Sequence, residues 1–164
     1  VDMGTASFGW KDIPLAEKGD TLHLNISNGP LTDPVTLNIG NPHVVFFVEN
    51  AESVDLELLG PDLENHPMFP ERTNVEVVSV LDPGQLRVRV WERGVGITQA
   101  CGTRACAAGI AANRRGLAKQ KVKVILDGGA LEIELNNNGG VVMTGPVTTS
   151  FEGSFSMDLL KTNE

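Results

Sequence analysis

Residues 105–112 read ACAAGIAA, and the first strongly polar side chain after that run is Asn113. Alanine is the best helix former, and the run predicts a helix over residues 103–115. Arg114 and Arg115 fall in its last turn and Gly116 lies just beyond it. Cations near the negative end of a helix dipole and a glycine past the last residue suit a C-terminus. A helix with no polar face has no side to offer to water, so it has to be buried all round. The rest of the chain must therefore enclose it.

Most of the remaining sequence is strand material. TLHLNI (21–26) and PVTLNI (34–39) alternate apolar and polar residues and predict half-buried strands, with the turn residues of SNGPLTDP between them. HVVFFV (43–48) reads as a buried strand. NVEVVSV (74–80) and LRVRVWE (86–92) flank Pro83-Gly84 as a hairpin. After the helix come KVKVIL, ALEIEL, VVMTG and TSFEGSFSMDL (149–159), with turns at 127–129 and 136–140. A second helical stretch is expected within 53–70, capped by Ser53, interrupted at Gly60-Pro61 and ended by Pro67 and Pro70. The expected class is α+β: a mostly antiparallel or mixed sheet wrapped around one central helix.

At 164 residues the chain can bury such a core without disulfides or structural metal. A net charge of -8 with scattered basic residues argues against a nucleic-acid partner. The apolar runs are strand-length and no export segment is evident, so no membrane partner and a cytoplasmic location are expected.

The chain has two cysteines, Cys101 and Cys106. Five residues of helical rise and rotation set their Cα atoms about 8–9 Å apart, beyond disulfide reach, so both are expected as free thiols. With three histidines and no second cysteine pair, no zinc spacing is present and no metal is expected. Cys101 directly precedes the helix, beside unpaired amides and the positive dipole end, where a thiol ionises more easily and a ligand carboxylate can bind. Taken alone it reads first as a small hydrophobe filling a corner, and Cys106 reads as core. Glu92 and Arg93 close the preceding strand, where an arginine fork can grip a carboxylate and a glutamate can accept an ammonium. Alone, they read as a solvated pair. Asn41, His43 and Asn74 stand at strand starts. Each Asn offers both a donor and an acceptor to a zwitterion, or simply forms a turn, and His43 is either a satisfied histidine or a proton-transfer group.

In combination, VDMG, GNPH, LGPDLENHPMFPERTNVEVV, WERGVGITQACGTRACAA and GPVTTSFEG resemble, in order, the second half of the diaminopimelate epimerases, which are pyridoxal-independent enzymes of lysine and peptidoglycan-precursor biosynthesis. The resemblance implies one half of a two-domain fold, with a catalytic cysteine at each helix mouth and substrate between the domains. Residues 1–148 would form the second domain, and 149–164 a closing strand that pairs with an absent first domain. It implies conversion of LL- to meso-diaminopimelate by two cysteines, without a cofactor, and inactivity of this half alone. Cys101 would be catalytic, with His43 and Glu92 assisting proton transfer. Gly102 and Thr103 would offer amides to the reacting carboxylate. Asn41, Asn74 and Arg93 would hold the distal end, and Glu92 would contact the amino group. The implied partners are diaminopimelate and the first domain, with a homodimer left open. Two positions depart from the family: Ile97 stands where many members have Glu, and Arg104 where many have a small residue. Arg104, in the first helical turn, is expected to reach solvent. Two other readings stay open, namely another cofactor-independent racemase or isomerase of the same superfamily and a non-catalytic amino-acid-binding domain.

Overall fold

A computed structural model describes residues 1–99 and 101–156. In chain order its elements are β1 (Asp2–Thr5), β2 (Ser27–Asn28), β3 (Leu31–Thr32), β4 (Val35–Asn38), β5 (Pro42–Phe47), α1 (Leu56–Glu64), β6 (Asn74–Asp82), β7 (Gln85–Glu92), β8 (Gly96–Ile97), α2 (Gly102–Arg114), β9 (Lys121–Leu126), β10 (Gly129–Leu135) and β11 (Gly140–Thr144). One sheet runs β1-β11-β10-β9-β7-β6-β5-β4, with β8 added to β7, and β2-β3 form a separate short hairpin. The pairs β5–β6 and β7–β9 are parallel and the others antiparallel, so the sheet is mixed.

The Ala-rich segment is α2, and every residue from Arg104 to Ala112 is buried. Val35 and Leu37 of β4, Val45 of β5, Val78 of β6, Val88 and Val90 of β7, Val122 and Val124 of β9, Ile133 of β10 and Val141 of β11 share one core with it. No flat sheet could bring all of these to one cylinder, so the strands curl around the helix. Close approach needs small residues. A Cβ on Gly109 would lie 3.1 Å from Ile133 Cγ2 and 3.3 Å from Val122 Cγ1.

A second core occupies the opposite face of the sheet. There Val44 and Phe46 of β5 and Val75 and Val77 of β6 meet Leu56 and Leu63 of α1, together with Ile13, Leu24 and Leu31. Strand β5 is thus covered on both faces, which is why it reads as a continuous apolar run rather than an alternation.

Three local expectations are corrected. Residues 21–26 form no strand. Leu24 and Ile26 bury their side chains in the second core, while the edge of β4 is met by the Ser7–Asn38 bridge and by two bonds, Thr36 N–H to Thr21 C=O and, just before the strand, Leu24 N–H to Pro34 C=O. Helix α1 starts at the Asp55 cap, whose carboxylate accepts from Leu58 N–H, and it runs through Pro61. Ser53 instead ends a short 3-10 turn at Ala51–Ser53. Gly60 and Pro61 stay helical because Gly60 leaves room for the Trp91 indole, which holds α1 against β7. Of the strand expected at 149–159, residues 149–156 form none, and the remainder lies outside the described residues. Among the described residues no helix is long and apolar enough to cross a membrane.

The Gly60–Trp91 contact yields a stability test. Alanine at Gly60 adds about 1 kcal/mol of helix propensity, but its methyl would fall 2.4 Å from Trp91 Cδ2. Overpacking of that kind costs about 1–3 kcal/mol, so Gly60→Ala is expected to be net destabilising. A lowered urea midpoint is the expected result, and a raised one would show that propensity dominates.

Candidate active site at the mouth of the central helix

Strand directions gather the candidate residues at one end of the sheet. Because β5 and β6 are parallel, His43 lies opposite Asn74. Strand β7 runs back antiparallel, with Trp91 opposite Val75, so Glu92 and Arg93 arrive beside Asn74. The N-terminus of α2 is tied to the same end by Arg104, whose Nη2 lies 2.9 Å from Glu92 Oε1 and donates to Asn74 Oδ1 at 3.1 Å.

Cys101 is the N-cap of α2, in extended conformation, and its side chain caps no backbone amide. Its Sγ lies 3.2 Å from Thr103 Oγ1, and the residue is half-buried. The helix's first bond runs from Ala105 N–H to Cys101 C=O. The amides of Gly102, Thr103 and Arg104 therefore precede the helical ladder. A Cβ at Gly102 would lie 2.9 Å from Met143 Sδ, so the flexible end of that side chain packs closely against the helix mouth. Cys106 is fully buried, and burial pushes its thiol up to about 12, with the nearby Cys101 adding to the rise. Both thiols are free.

His43 is fully buried. Its Nδ1 lies 2.7 Å from Glu76 Oε1 and its Nε2 2.8 Å from the amide oxygen of half-buried Asn41. Asn74 is buried too. Its Oδ1 accepts from Arg93 N–H at 3.0 Å as well as from Arg104, and its Nδ2 donates to Pro42 C=O at 2.9 Å, which leaves one amide hydrogen. The Arg93 guanidinium donates to Glu71 C=O at 3.1 Å, so one of its five N–H groups is used there. Ile97 is partly exposed on β8.

Two residues that shape this site, Glu64 and Glu76, were not picked out in the sequence, and a third, Arg104, lies elsewhere than expected. Glu64, at the end of α1, is buried. It accepts from Gly94 N–H at 2.9 Å, Trp91 Nε1 at 2.7 Å and Arg72 Nη1 at 3.1 Å, pinning the turn that carries Glu92 and Arg93. Glu76 is the buried partner of His43. Arg104 overturns the expectation that it reaches solvent, for it is only 1% exposed. The signal for it was present. Residues 108 and 111 lie on the same helix face as 104 and are alanines, so that face had to be interior. Among the described residues no group of three or more His, Cys, Asp or Glu side chains could hold a metal ion.

A thiol at a helix mouth, beside the first-turn amides and at the same end of the sheet as the polar strand ends, makes a candidate site suited to charge development on a small carboxylate ligand. The fold is shared by a structure described as a predicted epimerase from Pseudomonas aeruginosa. That match has a TM-score of 0.52 at 17% identity and covers 90% of this chain and 58% of the other. The diaminopimelate epimerase family profile matches residues 35–150. Relatives named diaminopimelate epimerase include those of Rhodospirillum centenum, 54% identical over 98% of this chain and 55% of the relative, and Erythrobacter litoralis, 52% identical over 94% and 58%. A third, from Acidiphilium cryptum, is 46% identical over 98% and 58%. This chain belongs to the diaminopimelate epimerase family, and it spans about half the length of the curated relatives it matches.

The two thiols should be separable chemically. Iodoacetamide at neutral pH is expected to label Cys101 and to leave Cys106 unlabelled until the chain is denatured, because the second thiol is buried and its thiolate scarce. Peptide mapping checks this. Equal labelling of the native chain would contradict it.

Proposed function

We propose that this chain supplies one half of the active site of a diaminopimelate epimerase, which interconverts LL- and meso-diaminopimelate without pyridoxal or metal. The observation that carries this reading is Cys101 at the N-cap of α2, with the Gly102 and Thr103 amides beside it. An α-proton next to a carboxylate is very weakly acidic, so the site must stabilise the charge that develops when the proton leaves. Fixed amide dipoles in a water-poor site do this without reorganising during the reaction.

Inversion needs a base on one face of the carbon and an acid on the other. In the proposed reaction a thiolate removes the α-proton while a thiol opposite delivers another. The Cα–H bond broken on one face is replaced on the other, and the two sulfurs exchange protonation states. Cys101 is one of the pair, and the second cysteine comes from a complementary domain. Residues 1–148 form the second domain of the enzyme in this reading, with 149–164 reaching to that partner domain. Gly102 and Thr103 hold the reacting carboxylate, and Glu92 takes the amino group. Asn41, Asn74 and Arg93 hold the distal end, and His43 with Glu92 supports proton transfer. The enzyme would work in the cytoplasm, as part of lysine and peptidoglycan-precursor synthesis.

The test is incubation with LL-diaminopimelate in D2O, following stereochemistry and Cα deuterium together. The 164-residue chain alone should invert nothing, and activity should appear when the complementary domain is supplied in cis or in trans. Inversion by the chain alone would falsify the two-cysteine reading.

A second measurement addresses Arg93 in the assembled enzyme. Lysine cannot reproduce a two-pronged carboxylate contact. Arg93→Lys is therefore expected to lower kcat/KM about 30-fold, equivalent to about 2 kcal/mol of transition-state stabilisation. Unchanged kinetics would remove Arg93 from the substrate contacts.

A further inference from the structure

Arg104 is the most deeply buried cation at this end of the sheet, and its surroundings do not look built for stability alone. A guanidinium withdrawn from water needs anionic and hydrogen-bonded compensation at several of its nitrogens. Here both contacts run through Nη2, to Glu92 Oε1 at 2.9 Å and to Asn74 Oδ1 at 3.1 Å. Nε and Nη1 are buried and have no hydrogen-bond partner among the described residues. One nitrogen thus serves two acceptors from two different strands, Asn74 at the start of β6 and Glu92 at the end of β7.

The placement matters because Arg104 is three residues from Cys101, in the first turn of α2. It links the helix mouth to both strand ends with a single planar group. Glu92 meets the buried Arg104 through Oε1 while its side chain as a whole stays 33% exposed, so it stands between the interior and the surface. Asn74 Oδ1 is filled by Arg104 and by Arg93 N–H, which fixes the direction in which the amide hydrogens point.

We propose that Arg104 is a positioning residue that sets Glu92 and Asn74 in register with Cys101, so that a ligand ammonium meets a carboxylate already held from behind. This rests on the reading that Glu92 and Asn74 face substrate. Arg104 acts through those two side chains and not on the reacting atoms. Lysine also carries its donors on one nitrogen, but that nitrogen ends one bond short of the position of Nη2, so it would reach the two acceptors less well.

The experiment is steady-state kinetics with LL-diaminopimelate on the enzyme assembled with its complementary domain, comparing Arg104→Met, Arg104→Lys, Glu92→Gln, the Arg104→Met/Glu92→Gln double variant and Cys101→Ala. Arg104→Met is expected to raise KM at least tenfold while kcat falls less than threefold, with Arg104→Lys in between. The double variant should raise KM less than threefold beyond Glu92→Gln, because one interaction is being removed twice. A wild-type KM in Arg104→Met overturns the proposal, as does a lowered melting temperature with kcat and KM both unchanged. Fully additive effects in the double variant overturn it as well. If Arg104→Met does not fold, a wild-type KM in Arg104→Lys has the same force. Cys101→Ala separates the two levels: full activity there sinks the epimerase reading itself, whereas an inactive Cys101→Ala beside an unaffected Arg104→Met sinks only the role of Arg104.

Discussion

Burial of α2 on all sides is the constraint from which the rest of the architecture follows. A helix with one apolar stripe could rest on a flat sheet, but this one has none to turn outward. Among the described residues seven strands contribute buried side chains to its surroundings, from Val35 of β4 to Val141 of β11. Small residues along the helix let those strands come close, as the contacts around Gly109 show. Each aliphatic side chain placed there removes apolar surface from water at about 25 cal/mol per Å². Wrapping is thus rewarded strand by strand, and only the helix ends escape it.

The open N-terminal end becomes a site because of how the strands are ordered. In a simple antiparallel meander, β5 and β6 would start at opposite ends of the sheet and His43 would lie far from Asn74. The crossover through α1 makes the pair parallel and brings both starts together. The tight turn into β7 then returns Glu92 and Arg93 to the same end. Helix α1 does more than cross over, since its last residue, Glu64, holds the turn after β7 through Gly94 N–H and the Trp91 indole. The element that creates the convergence also fixes its geometry.

Much of this was legible in the sequence, and the failures share a physical cause. Helix α2 was placed to within a residue at each end, because alanine content, the terminal arginines and Gly116 agree. Strands β4, β5, β6, β7, β9, β10 and β11 were recovered because each buries at least one face and so shows the matching pattern. TLHLNI shows the same alternation, but it meets residues 34–36 through two backbone bonds without forming a ladder, and alternation reports burial rather than pairing. Pro61 was read as a break from local chemistry, whereas packing of Trp91 on Gly60 keeps the helix going. Around the site, Cys101, Glu92 and Arg93 were visible through their spacing to the helix. Glu64 and Glu76 were not, because their partners Gly94 and His43 lie about thirty residues away and only the fold joins them.

The distribution of polar burial divides the labour along one helix. The body of α2, around Ala108 to Ala112, lies within the apolar core. The polar groups cluster at its mouth: the His43–Glu76 pair, Glu64 under the turn and Arg104 between two strands. Buried ionic groups of this kind seldom add stability over a well-packed apolar substitute. What they do provide is polar groups already desolvated and aligned, which is the arrangement that the proposed reaction calls for. Such a mouth is tolerable because the apolar body supplies the folding energy independently. The enclosure that forces α2 to be small and featureless along most of its length is therefore what allows its mouth to carry a thiol, the amides of the first turn and a buried cation.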